Sequence, residues 1–199
     1  KKTIGDYEWC DLNGDGIING NDMYELGNTI PTTTGGLSNT LSYKGFTLNV
    51  FFDFALGHSV CNGFLQRQMC NFMNGNTSIP SEVLKAWNVG DDPAKAKYAR
   101  FSGNDSDELN KNYRPNSDIF CQKADYLCLR EVSLSYQMPK KLIKKAGMQD
   151  VRFTFAGNNL HYFTNVIGMS PEVGTTDSYS GTNNYPPIRK FSFSVKVSF

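Results

Sequence analysis

Residues 45 to 57 alternate without a break: Phe46, Leu48, Val50, Phe52, Phe54 and Leu56 share one parity, and Thr47, Asn49, Phe51, Asp53 and Ala55 share the other. A period of two is that of a β-strand, whose successive side chains leave opposite faces. The segment is therefore predicted to be a strand with one wholly apolar face. Upstream, Leu37, Asn39, Leu41 and Tyr43 alternate with Ser38, Thr40 and Ser42, and Lys44-Gly45 follows as a tight-turn signal, which predicts a hairpin. Three further strands follow from the same rule: Asp125 to Met138, with Val132, Leu134 and Tyr136 on one face; Asp150 to Leu160, with Val151, Phe153 and Phe155; and the last residues, where Phe191, Phe193, Val195, Val197 and Phe199 alternate with Ser192, Ser194, Lys196 and Ser198. Between the first two of these three strands the pattern changes. Pro139 to Gly147 reads as one or two helical turns, opened by Pro and closed by Gly.

An apolar strand face can meet a second sheet or lipid. Length favours lipid, because about 9 to 11 residues cross a bilayer as a tilted strand; Asn49 and Asp53 would then face a wet interior. The connections support this. Residues 58 to 124 are rich in Asn, Gly, Asp and Ser, with a short helix predicted around Ser81 to Trp87, and residues 161 to 188 are rich in Gly, Thr, Asn and Pro. Long loops at one end and short turns at the other are the asymmetry of an outer-membrane barrel. With the C-terminus in the periplasm, residues 1 to 30, 58 to 124 and 161 to 188 fall outside, and Tyr43 to Gly45 and the Pro139 to Gln149 turn fall inside.

Composition removes several alternatives. No stretch approaches the roughly 18 apolar residues of a membrane-spanning helix, and a mean hydropathy of -0.43 is uninformative about strands that are apolar only at every second position. A net charge of +1 gives no attraction to a polyanion, so nucleic acid is not an expected partner. Five cysteines form no Cys-x-x-Cys pair and have no His at zinc-ligand spacing; their odd number leaves at least one unpaired within the chain, and their pairing is open. His58 and His161 lie in no nucleophile or metal motif, so no catalytic residue is assigned and an enzyme is not expected. The N-terminus lacks the apolar core of a signal peptide, and the chain reads as a piece of something longer.

One local motif carries chemistry. Asp11, Asn13, Asp15, Ile17, Asn19 and Asp22 stand at positions 1, 3, 5, 7, 9 and 12 of a loop with Gly16 at the sharp turn and Ile18 as an apolar anchor. That spacing wraps a hard cation in oxygen ligands, Ile17 through its carbonyl, and points to structural calcium, with magnesium as the alternative. Asp22 in place of Glu shortens the last ligand. With Gly5 before the loop and Gly27 after it, no paired helices flank it, so a holding ion is expected rather than a sensing switch. The pattern resembles a dockerin repeat, of which a second copy is absent.

The order of these features resembles the end of SusC/RagA-like TonB-dependent transporters. The matching segments are Asp11 to Gly16, Gly27-Asn28-Thr29-Ile30-Pro31, Tyr43-Lys44-Gly45-Phe46 and the aromatic strand Phe51 to Gly57. Further matches are Leu127 to Arg130 running into Val132 to Pro139, Gly157-Asn158-Asn159-Leu160, Ser170-Pro171-Glu172 and Asn184 to Arg189. Departures are Cys128, where such sequences usually carry Arg or another residue, and Ser170-Pro171-Glu172, where Asp-Pro-Glu is usual. The resemblance implies an all-β fold in which residues 1 to 199 are the C-terminal segment of a 22-stranded antiparallel barrel in the bacterial outer membrane. Residues 1 to 30 would form an extracellular loop with the cation motif, and 31 to 199 about five strands and their loops. It also implies an upstream barrel and plug, contact with TonB through that upstream part, and a SusD-like surface lipoprotein as partner. The cargo would be an oligosaccharide or peptide. Trp87, Tyr98, Tyr113, Tyr179 and Tyr185 would then be candidate substrate or partner contacts, with simple loop packing as the competing role. The rival architecture is a secreted, calcium-stabilised β-sandwich, a carbohydrate-binding or adhesion module, in which the apolar faces would be covered by protein.

Overall fold

The computed structural model describes residues 4–70, 81–92, 94–101, 112–113, 117–172 and 187–199. Seven strands carry the fold: β1 (Thr33–Tyr43), β2 (Phe46–Leu56), β3 (Ser59–Cys61), β4 (Cys121–Lys123), β5 (Tyr126–Gln137), β6 (Asp150–Thr164) and β7 (Lys190–Ser198). Five of them form one antiparallel sheet in the order β1-β2-β5-β6-β7, and β3 pairs with β4 beyond its end. Two short helices, α1 (Gly63–Cys70) and α2 (Lys140–Ile143), lie in the connections.

The register makes each face continuous. Leu41, Leu48, Leu134, Phe155 and Phe193 follow one another across all five strands, and Tyr43, Phe46, Tyr136, Phe153 and Val195 form the next row toward the short turns. This apolar face is uncovered. Leu41, Phe155 and Phe193 are 61%, 51% and 67% exposed, and among the described residues no second sheet lies over them. A monomeric soluble surface rarely carries an apolar area of that extent. Aromatic rings gather toward the short turns, where Phe46 and Tyr136 pack with centroids 4.4 Å apart.

The opposite face is polar and internally bonded. Thr40 Oγ1 donates to Asn49 Oδ1 (2.8 Å), Asn49 Nδ2 donates to Ser133 Oγ (3.3 Å), and the hydroxyls of Ser135 and Thr154 meet at 3.1 Å. Asn49 thus sits on the side opposite the apolar face, as its parity predicts.

Turn chemistry separates the two ends of the sheet. Lys44 and Gly45 join β1 to β2 with φ of 44° and 89°, both left-handed, as a two-residue hairpin turn matched to strand twist requires. A Cβ on Gly45 would stand 2.8 Å from the carbonyl oxygen of Gln137, so only glycine fits. β5 and β6 are joined by α2 and a 3-10 turn at Lys144–Ala146 that ends on Gly147 at φ 74°, the helical turn the sequence predicts. The opposite ends of the strands, at Leu56, Tyr126, Thr164 and Lys190, carry the long connections.

Those connections hold more structure than their composition suggests. Leu65, Met69, Ala86, Tyr98, Tyr113 and Phe120 form a buried core, and Val60, Ala124 and Val166 form a smaller one beside it. Asn62, fully buried, caps α1 by accepting the Leu65 N–H at 2.9 Å, while its Nδ2 donates to the Ile167 carbonyl (2.7 Å) and to Gln122 Oε1 (3.2 Å). Arg100 binds Asp6 and fastens the N-terminal segment to this module. Two strand boundaries differ from the periodicity: β1 begins at Thr33 and β6 runs on to Thr164, because backbone pairing continues beyond the residues that alternate in hydrophobicity. The short helix expected near Ser81 to Trp87 is a 3-10 helix at Ser81–Lys85.

Candidate functional site

The most concentrated chemistry of the polar face lies where β2, β5 and β6 approach their long-loop ends. The pairing of β5 with both neighbours skips Arg130, so that Phe51 opposes Glu131 and Phe52 opposes Leu129. A residue left over in this way is a β-bulge, which re-aims its side chain. Arg130 turns to the polar side and meets Asp53 through Nε to Oδ1 and Nη2 to Oδ2, each 2.7 Å. Its Nη1 donates to Asn159 Oδ1 (2.8 Å) and to the Tyr162 hydroxyl (3.1 Å), and its Nη2 is also in contact with Glu172. Tyr162 completes the circuit by donating to Glu172 Oε2 at 3.0 Å.

The guanidinium is thereby engaged along every edge, and one cation is shared between two carboxylates. Planar, bidentate pairing of this kind fixes geometry as well as charge. What it holds is the segment at Ser170–Glu172, drawn onto the strand wall. The left-handed backbone of Asn159 (φ 53°) belongs to the same irregularity and brings its side chain into reach of Arg130. Asp53, which parity places on the polar face, is therefore one end of an ion cluster. Arg130, Glu172, Tyr162 and Asn159 were not singled out by sequence reasoning. Arg130 sits in a run that keeps β-strand composition, and only the register reveals it as the extra residue.

Among the expected contact aromatics, Trp87, Tyr98 and Tyr113 are 9%, 5% and 9% exposed and belong to the loop core or its edge. Trp87 Nε1 donates to the Asp91 carbonyl (3.0 Å), the Tyr98 hydroxyl to Glu82 (3.3 Å) and the Tyr113 hydroxyl to the Ala99 carbonyl (2.5 Å). The Tyr113 ring stacks on Phe101 at 4.3 Å. In this chain they do the packing. Tyr179 and Tyr185 lie outside the described residues.

The Asp11 to Asp22 loop closes on itself. Asp11 accepts from the Gly14 and Gly16 N–H groups (both 2.7 Å), Asp15 from Ile17 (2.7 Å), and Asp22 from Leu12 (2.9 Å) and Asn19 (2.7 Å). Asn19 in turn caps the 3-10 turn at Gly20–Asp22. The Asn19 N–H holds the Asp22 carboxyl below its ordinary range. These bonds orient the oxygens at N–H groups, and among the described residues no three Asp, Glu, His or Cys side chains converge as a ready-made cation cage. A cation here would have to take oxygens now bonded to backbone N–H groups.

No protein-family model matches the chain. TonB-dependent receptor P3 of Formosa agariphila is 26% identical across 96% of this chain and 19% of its own length. TonB-dependent receptor P26 of the same organism is 26% identical across the whole of this chain and 20% of its own length. The chain thus spans about one fifth of these relatives. Among solved structures, a chain of the RagAB peptide transporter superposes with a TM-score of 0.67 at 20% identity, over 93% of this chain and 20% of that one. A chain of the RagAB peptide importer in its open-open state gives 0.61 at 22% identity, over 85% and 17%. In sequence this chain is similar to TonB-dependent receptors, and in fold it is similar to a part of the RagAB transporter.

Proposed function

We propose that the chain is the C-terminal, five-stranded part of a 22-stranded outer-membrane barrel that imports nutrients, energised through TonB. The observation that carries this is the two-faced sheet. Phe155 and its row are apolar and uncovered, while Asn49, Ser133 and Thr154 on the reverse form a bonded polar ladder. A barrel wall needs both faces at once, lipid outside and water inside. A sandwich would cover the first.

In this scheme the short turns at Lys44-Gly45 and Pro139 to Gln149 face the periplasm, and the loop module faces outward, where it meets a SusD-like lipoprotein and the cargo. RagAB is described as a peptide importer, which favours peptide over oligosaccharide among the two cargo classes. The Arg130 cluster acts as a clamp, holding the Ser170–Glu172 segment against the wall at the mouth of the import route. No step of this scheme asks a side chain for covalent chemistry. We also propose that calcium binds the Asp11 to Asp22 loop, exchanging some of its N–H contacts for the ion, as the ligand spacing supports.

The test is membrane partition of the full-length protein. It should remain in the outer-membrane fraction through high-salt and alkaline washes and require detergent for release. Phe155→Arg should lower the assembled amount, since a cation on the lipid face near mid-bilayer costs about 2–4 kcal/mol, whereas Thr154→Arg should not. Release into buffer without detergent would overturn the proposal.

A further inference from the structure

Cys61 and Cys121 stand directly opposite each other in the β3–β4 pair. On either side of them the backbone bonds are made, Asn62 N–H donating to the Phe120 carbonyl (2.8 Å) and Ala124 N–H to the His58 carbonyl (2.9 Å). Bonded and non-bonded pairs alternate along an antiparallel ladder, so the cysteines occupy a non-hydrogen-bonded pair. There opposing Cα atoms are about 4.5 Å apart and the side chains lean together. That spacing lies inside the range a disulfide spans, about 4.4–6.8 Å. Both cysteines are partly buried, and each perturbs the titration of the other. Cys10 is exposed in the N-terminal segment and Cys128 is buried in β5, so neither shares this pairing.

We propose that Cys61 and Cys121 are a disulfide site that closes the neck of the long loop between β2 and β5, formed by exchange with a low-molecular-weight disulfide. The thiolate of one cysteine attacks a sulfur of the reagent, forming a mixed disulfide and expelling one thiolate. The thiolate of the other then attacks the protein sulfur and expels the second. Two protein thiols are oxidised, the reagent is reduced to two thiols, and the two protons pass to the departing thiolates. Either cysteine can attack first, and the other then resolves the mixed disulfide.

The consequence is mechanical. The loop core around Leu65, Tyr98 and Phe120 joins the sheet at this neck through β3 and β4, three residues in each strand. A covalent bond across the pair prevents the short ladder from parting. The linkage stands on register; only the oxidising surroundings of an extracellular loop rest on the transporter reading.

The experiment uses the full-length protein, purified in detergent without reductant and incubated while folded with oxidised glutathione. Remaining thiols are then blocked with iodoacetamide, and the digest is read by mass spectrometry. The expected product is a linked pair of peptides carrying Cys61 and Cys121, short by a pair of hydrogens, lost on reduction and retained in Cys70→Ser. In Cys121→Ser, Cys61 should instead retain glutathione as a stable mixed disulfide. Alkylation of both cysteines after the oxidant, or linkage of either to Cys10, Cys70 or Cys128, would overturn the proposal.

Discussion

Arg130 and Asp53 face each other from β5 and β2 through two parallel bonds of 2.7 Å, at the point where the ladder skips Arg130. The bulge and the ion pair explain each other. The extra residue is free of the ladder, and the carboxylate opposite gives its side chain a place on the polar face. Arg130→Lys keeps the charge but loses the fork, and should destabilise the folded protein by roughly 1–3 kcal/mol, between the surface and buried limits for ion pairs. The measurement is the temperature at which the full-length protein loses its compact band on a semi-native gel. In a cycle with Glu172→Gln the losses should be less than additive, because both substitutions disturb one cluster. An unchanged transition in Arg130→Lys would count against the clamp.

Gly45 tests the hairpin. Its φ of 89° and the 2.8 Å approach of a Cβ to the Gln137 carbonyl should make Gly45→Ala costly, on the order of 1–3 kcal/mol in the same assay. Gly20, which has open space around it, should accept Ala within about 0.5 kcal/mol. Equal effects would mean that the turn is not held as described.

Asn62 joins three parts of the loop module through buried bonds. Asn62→Ala should leave the Ile167 carbonyl without its partner and Gln122 Oε1 with the Ile167 N–H, and cost the module roughly 1–3 kcal/mol. Amide hydrogen exchange should accelerate together in α1, β4 and residues 165 to 169, with the five-stranded sheet unaffected. Acceleration confined to α1 would reduce Asn62 to a helix cap.

Asp22 gives a pH dependence with a defined sign. Its carboxyl is held below the ordinary 3.8, chiefly by the Asn19 N–H. A depressed folded-state value stabilises the loop at pH above the unfolded value, and that contribution is lost as the pH falls through the folded one. Exchange protection of residues 12 and 19 should therefore be flat from neutral pH down to about 4 and decline below it. Asp22→Asn should weaken protection at neutral pH and abolish the decline at low pH. Protection that instead declines between pH 7 and 5 would point to another group.

Calcium is tested separately by calorimetry on the full-length protein. Heat of binding should be present and should vanish in Asp15→Ala; an unchanged titration would remove the ion.

Much of the sheet was legible because a period of two survives any amount of loop sequence between strands. Phe46 to Leu56 declared its faces without reference to a partner, and so placed Asn49 and Asp53. Arg130 could not be placed that way, since a bulge is a property of two strands and their register. The loop core was hidden for a related reason. Leu65, Tyr98 and Phe120 are far apart in sequence with no common period, and β3 and β4 are each too short to alternate visibly. Trp87, Tyr98 and Tyr113, for which loop packing was the competing role, are buried, and Tyr98 and Tyr113 belong to that core.

The central claim is that the uncovered face meets lipid. Phe155 and Thr154 are neighbours on β6 that point to opposite sides, one 51% exposed and the other bonded to Ser135. Each can be replaced in turn by the photoreactive p-benzoylphenylalanine in full-length protein, irradiated in native membranes and mapped by mass spectrometry. Lipid adducts at 155 and none at 154 are predicted; protein adducts at 155, or lipid at 154, would contradict the barrel.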